Sequence, residues 1–200
     1  MAAGGLVVGL EETRPRLVVR VGPARAPPGS VGTRMRLTLG PRTYDLRSRA
    51  LVMGTLGTVE ELVGQGADLV ELASLDRQPA MPVPACVTAS DEAAVGRALA
   101  AGASLVHLPQ PTPAGLRMCA AAGVAVLVPP GAAGDAAGAG VFRERIVPES
   151  LLLDVTAVTC PMAATAVGVI QGARIVRAPV ADIRGARRVV DVLAAVMEAR

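Results

Sequence analysis

The chain contains no lysine, no asparagine and no tryptophan, and its 200 residues include one tyrosine, one phenylalanine and one histidine. So few aromatics leave no platform on which single-stranded bases could stack. Without lysine, the whole positive charge falls on arginine: 20 basic residues stand against 17 acidic ones, for a net charge of +3. Arginine therefore also does ordinary solvation, as in the Ala-, Gly-, Arg- and Val-rich products of GC-rich coding sequences. The basic balance is not a nucleic-acid footprint, and no nucleic-acid partner is expected. The cysteines, Cys86, Cys119 and Cys160, are odd in number, scattered and without a CxxC pair. That pattern argues against a disulfide framework or a zinc site and fits reduced thiols in a cytoplasmic protein. No apolar run approaches the ~20 residues of a membrane span. The early "LVVGL" is too short, and lacks leading basic residues, for a signal peptide. A cytoplasmic domain without a membrane partner is expected.

What is present is apolar residues, 52% of the chain, and they are small. Val, Leu, Ala and Ile must build the core of what the length suits as one domain. Residues 1–34 read as a separate arm, with "RLVVRV" as a short strand and "GPARAPPGSVG" as a linker. The domain proper spans residues 35–200 and begins with a hairpin, "RLTL" and "TYDL" flanking the turn signal Gly40-Pro41. From Leu51 onward, short Val/Leu-rich runs alternate with helical stretches: "LVMGTL", "ADLVELA", "VPACVT", "ASLVHLP", "VAVLVP", "SLLLDVT" and "ARIVRAP". Ser90 and Thr112 are candidate N-caps, and Gly66, Gly102, Gly123 and Gly172 candidate left-handed helix ends. Val95, Leu99, Leu116 and Val169 fall where each helix could face a sheet. Strands apolar on both faces and alternating with helices imply a parallel sheet covered by helices. The fold expected is α/β, a (β/α) TIM-type barrel with an N-terminal hairpin arm. It is incomplete, with about seven βα units against the usual eight. "PGAAGDAAGAGVFRERIVPES" reads as a long loop over one barrel end.

These residues resemble the dihydropteroate synthases and the wider pterin-binding barrels. "GPRTYDLRSRALVMGTLGT" is similar to that family's hairpin leading into V-M-G-I-L-N-V-T. "GQGADLVELAS" resembles its E-G-A-D-I-I-D-V-G-G, and "PESLLLDVTA" its P-E-x-I-I-L-D-P-G. "GARIVRAPVADIRGARRVVDVLAAV" resembles its last strand, G-A-x-I-V-R-V-H-D-V, and closing helix. The resemblance covers most of residues 40–198. It implies a pterin or other small anionic ligand, Mg²⁺ assisting loss of pyrophosphate, and pairing through the late helices.

Residue by residue, the chain departs from the pattern. The first-strand Asn position is Gly57. The second-strand acid survives only as Glu71, Thr88 stands where the third strand carries an Asp, and His107-Leu108 replaces N-D. The fifth-strand M-H resembles Val128-Pro129. Asp154 matches the sixth-strand Asp, but the following glycine-rich loop is gone. The S-R-K strand is deleted, and R-x-H has become Arg177-Ala178-Pro179. The family's Mg²⁺ ligands are not retained, so no metal and no cofactor is expected.

Five residues remain as candidates for ligand binding. Asp154 ends an apolar run where barrel active sites are built; the alternative is an Asp that bonds its own turn. Arg177, on the equivalent lip, is either an anion clamp or the ion-pair partner of Asp154 or Asp182. His107 has apolar neighbours, Val106 and Leu108, and no serine or cysteine beside it in sequence. It is a hydrogen-bonded core or rim histidine, or a catalytic one. Glu71 could meet Asp154 across the mouth. Arg77 resembles the arginine of the family's S-T-R-P-G loop; its alternative is a solvated loop arginine. No catalytic residue is assigned, Asp154 and Arg177 being vestigial candidates. The function expected is that of a catalytically degenerate member of this fold, structural, regulatory or ligand-binding. The alternatives are a diverged transferase using Asp154 and Arg177, and one subunit of a hetero-oligomer. A homodimer is expected through an apolar face of the closing helix, Val189, Val192, Leu193 and Val196, broadened by Val190, Ala194 and Met197.

Overall fold

The structure is a computed structural model and describes residues 35–73 and 81–199. Arg77 and the arm, with its "RLVVRV" strand, lie outside the described residues. The hairpin forms as the sequence predicts, β1 (Arg36–Leu39) pairing antiparallel with β2 (Arg42–Asp45). Gly40 takes a φ of +56°. Followed by proline's fixed negative φ, this is the sign combination of a type II′ hairpin turn.

Eight parallel strands follow in one sheet: β3 (Leu51–Thr55), β4 (Leu69–Leu72), β5 (Ala85–Thr88), β6 (Leu105–His107), β7 (Ala125–Val128), β8 (Ile146–Pro148), β9 (Leu152–Asp154) and β10 (Ile175–Pro179). Their order, β8-β7-β6-β5-β4-β3-β10-β9, wraps them into a nearly closed barrel. The helices are α1 (Val59–Gly64), α2 (Glu92–Ala100), α3 (Pro113–Ala122), α4 (Ala133–Gly138), α5 (Pro161–Ile170) and α6 (Ile183–Glu198). Among the described residues, no helix is long and apolar enough to cross a membrane.

Two expectations are corrected here. The strand count is eight rather than seven, and the extra strand, β8, lies inside the stretch read as a long loop. That stretch also holds α4. Its Ala/Gly tract lacks apolar periodicity because small residues suffice where the helix packs through buried Ala136. The incompleteness is real but takes another form. Between β8 and β9 there is only a 3-10 turn, Glu149–Leu151, so no helix crosses over there. Among the described residues, β8 pairs only with β7, and β9 only with β10. The two free edges are three residues each, and Pro148 offers no amide, both of which blunt edge pairing. A third correction concerns α2, whose N-cap is Asp91, accepting from the Ala94 amide, while Ser90 donates to Asp91.

Alternation along the strands divides the core. Leu51, Met53, Leu69, Cys86, Leu105, Ala125, Leu127, Val147 and Ile175 fill the lumen together with Leu37, Leu39 and Leu46 of the hairpin. The hairpin thus plugs the N-terminal end, where Arg42 donates to the Pro82 carbonyl just before β5. The outward residues, among them Val52, Val70, Val106, Val126 and Val176, pack under the helices. With the lower end plugged, the described residues leave the lumen a polar face at the C-terminal mouth.

Candidate functional site

Two residues beyond the apolar lumen layer, each strand presents its next inward position at the mouth. There Leu69 is followed by Glu71, Cys86 by Thr88, Leu105 by His107, Leu152 by Asp154, and Ile175 by Arg177. Period-two alternation therefore places four of the five candidate residues on one polar rim, in two hydrogen-bonded chains.

The first chain centres on Arg177. Its Nε donates to Glu71 Oε2 at 2.6 Å and its Nη1 to Asp154 Oδ2 at 2.6 Å. Asp154 is Arg177's register partner on β9, and Glu71 lies two strands away on the other side. Asp154 Oδ1 accepts from both the amide and the hydroxyl of Thr156, at 2.9 and 2.7 Å. Both readings of Asp154 are thus realised, one by each carboxylate oxygen. Arg177 is an ion-pair partner, of Glu71 and Asp154 and not of Asp182, which instead takes the N-cap position of α6. Partial burial opposes ionisation of Asp154, but the Thr156 bonds and the Arg177 charge outweigh it and hold the carboxyl below its ordinary value. Partial burial likewise works against the Arg177 charge, and the two carboxylates overcome it, raising the pKa of the guanidinium.

The second chain was not read from the sequence. Thr88 Oγ1 lies 3.2 Å from His107 Nδ1, and His107 Nε2 lies 2.8 Å from Glu149 Oε1. Thr88 and His107 are register partners on β5 and β6, and Glu149 comes from the turn that closes the barrel wall. His107 is therefore a rim histidine with both ring nitrogens engaged. Only the strand pairing brings Thr88 to it; 19 residues separate the two in sequence.

Beneath the rim, burial, reinforced by the Glu71 carboxylate, pushes the Cys86 thiol well above its ordinary range, so it stays a thiol. Cys119, under the helices, is pushed up to about 11 by burial. Val128 is wholly buried and brings no polar group to the mouth. Gly57 is packed on both sides. A Cβ there would lie 3.1 Å from Leu62 Cδ2 and 3.2 Å from Val180 Cβ, so the family's Asn does not fit without displacement. Just before it, Leu56 holds a left-handed φ of 57° with its side chain in solvent.

No family model matches the chain, and no curated protein matches it. Solved structures do. A Yersinia pestis dihydropteroate synthase bound to a pterin–sulfa conjugate superposes with a TM-score of 0.65 at 16% identity, covering 82% of this chain and 99% of that one. A dihydropteroate synthetase with its product gives 0.68 at 19%, covering 84% and 100%. The Xanthomonas albilineans dihydropteroate synthase with 4-aminobenzoic acid gives 0.64 at 17%, covering 82% and 99%. The chain shares the barrel fold of these dihydropteroate synthases, at 16–19% sequence identity.

Proposed function

We propose that this protein keeps the dihydropteroate synthase barrel without the condensing activity, and acts as a ligand-binding or structural component that pairs with a second copy. The observation that carries the reading is the closed Glu71–Arg177–Asp154 chain. In the reaction implied by the resemblance, cations offset the charge leaving with pyrophosphate. Here the rim's arginine is already neutralised by two carboxylates at 2.6 Å, and the chain has no lysine to take its place. An anionic ligand reaching the remaining N–H donors of Arg177 would meet a guanidinium whose charge Glu71 and Asp154 already offset, and would lie beside two carboxylates of its own sign.

The residues present do not fit a Mg²⁺ ion either. Gly57 offers no side-chain oxygen, and both rim acids at this end already bond Arg177, Asp154 bonding Thr156 as well. We therefore assign no metal-assisted step. A neutral heterocycle with N–H donors matches the remaining lone pairs of Glu71 and Asp154 better than a free anion does. The free thiols Cys86, Cys119 and Cys160 fit work in a reducing compartment such as the cytoplasm.

Purified protein given a pterin pyrophosphate and p-aminobenzoate should yield no dihydropteroate. Condensation that disappears in Asp154→Ala would overturn the proposal. A thermal-shift series with pterins, purines and inorganic pyrophosphate should show stabilisation by neutral heterocycles ahead of the free anion, since only binding to the folded form raises the melting temperature.

A further inference from the structure

The chain Thr88–His107–Glu149 is a hydroxyl, an imidazole and a carboxylate in hydrogen-bonded order, and the first chain of the rim makes no use of it. We propose that Thr88 is a nucleophile activated by His107, and that this second site takes up the acyl group of small activated carboxylic esters. The proposal does not depend on the reading of Glu71, Arg177 and Asp154.

Glu149, as a carboxylate, can only accept, so the bond at 2.8 Å places the imidazole proton on Nε2. The Nδ1 lone pair is then directed at Thr88, whose hydroxyl donates to it across 3.2 Å. This is the arrangement by which a base withdraws the proton of an attacking hydroxyl while a third group holds the ring's tautomer. The two ring nitrogens have exchanged their usual places, which leaves the proton balance unchanged. Three separate parts of the wall supply the groups: the ends of β5 and β6 and the turn between β8 and β9. The side chains of His107 and Glu149 are 21% and 33% exposed, and Thr88 is open to solvent. The nucleophile is reachable, while its supports are held by the wall.

In the step proposed, Thr88 Oγ bonds to the ester carbonyl carbon as its proton passes to His107 Nδ1. The carbon–alkoxide bond then breaks, and the departing oxygen takes the proton from His107 as an alcohol or phenol. Threonine is left as its acyl ester. Water, activated by the same nitrogen, returns the hydroxyl and releases the carboxylic acid. No oxidant, reductant or metal enters the balance. His107 and Thr88 are the catalytic residues; Glu149 is a positioning residue.

The composition makes the test clean, since a chain without lysine has no side-chain amines to take up an acyl probe. Cys160, the exposed thiol, is first removed as Cys160→Ser. That protein, mixed with p-nitrophenyl acetate and quenched in acid during the first turnover, before water removes the acyl group, should release p-nitrophenolate and carry an acetyl group mapped by peptide mass spectrometry to Thr88. Thr88→Val should abolish the label and Thr88→Ser retain it. His107→Gln should slow labelling by roughly a hundredfold, the scale of a lost general base. His107 is the sole histidine, so ¹⁵N-imidazole spectra report its tautomer without assignment. The neutral ring should carry its proton on Nε2 in the unmodified protein and become a mixture in Glu149→Ala. An unlabelled Thr88, a label that survives Thr88→Val, or an Nδ1-protonated ring in the unmodified protein would each overturn the proposal.

Discussion

Asp68 accepts from the Val52 amide at 2.9 Å, from Arg49 at 2.7 Å and from Arg187 at 2.6 Å. One carboxylate, its side chain only 10% exposed, thereby ties the hairpin exit to β3 and to α6. Asp68→Ala strands a backbone amide and leaves two half-buried guanidiniums short of their shared partner. It should cost about 3 kcal/mol, seen as a lower urea midpoint with an unchanged slope. Asp154 differs, because its carboxylate is far more open. Its folded pKa lies below the ordinary value of 3.8, so the stability it contributes is present above that value and is lost as pH falls through the depressed one. Asp154→Asn should therefore be less stable than the unmodified protein at neutral pH, with the gap closing as pH drops below about 4. Solvent screening keeps the gap small. Urea unfolding at several pH values checks it, and a gap that persists into acid would assign the effect to something other than the charge. The sequence marks Asp154 and Arg177 because each is the charge that interrupts an apolar run, although in the fold Asp154 ends β9 and Arg177 stands mid-strand in β10. It does not mark Glu149 or the role of Thr88, since their meeting with His107 depends on strand register and on a turn with no periodicity of its own.

The glycines carry much of what is legible among the elements. Gly66, Gly102, Gly123 and Gly172 all hold positive φ just after a helix, as their reading as left-handed helix ends predicts. Gly54 has a different reason to be glycine. A Cβ there would meet Ile183 Cδ1 at 2.9 Å, Leu62 Cδ2 at 3.1 Å and the Cβ of Ala67 at 3.2 Å. It is the point where α1 and α6 converge on β3. Gly54→Ala should destabilise by about 1–3 kcal/mol through overpacking, even though alanine is the more favourable residue in the unfolded-chain balance. The start of α1 carries the full capping box, Thr58 bonded to the Glu61 amide and Glu61 to the Thr58 amide. "TVEE" has that spacing in plain view. Thr58→Ala should cost about 1 kcal/mol, readable as a lower melting temperature. β8 and α4 stay hidden for the opposite reason. Three residues, "IVP", are too few to show an alternation, and a helix of Ala, Gly and one Asp has no apolar stripe.

At the scale of the whole molecule, the face of α6 expected to form a dimer is divided by the fold. Val190 and Ala194 turn inward with Ile183 and Ala186 against the barrel, and Val189 and Leu193 are half-buried flanks. Val192, Val196 and Met197 remain in solvent, 62%, 49% and 41% exposed. They are not alone, because Val167 and Ile170 are exposed on α5, which packs along α6. Five large apolar side chains on the outer faces of two adjacent helices are more than scattered surface residues supply. A second copy meeting this face across a two-fold axis would match it with itself, apolar against apolar. Each Å² so buried contributes about 25 cal/mol, and the small residues of α5 allow a close approach. Sedimentation at micromolar concentration should show a dimer. Ile170→Arg and Val192→Arg should each shift it to monomer without unfolding it, since neither side chain supports its own barrel. A monodisperse monomer before any substitution, or a dimer indifferent to both arginines, would place the interface elsewhere or remove it. Because association stabilises by mass action, the melting temperature of the unmodified chain should rise with protein concentration while those of the two variants do not.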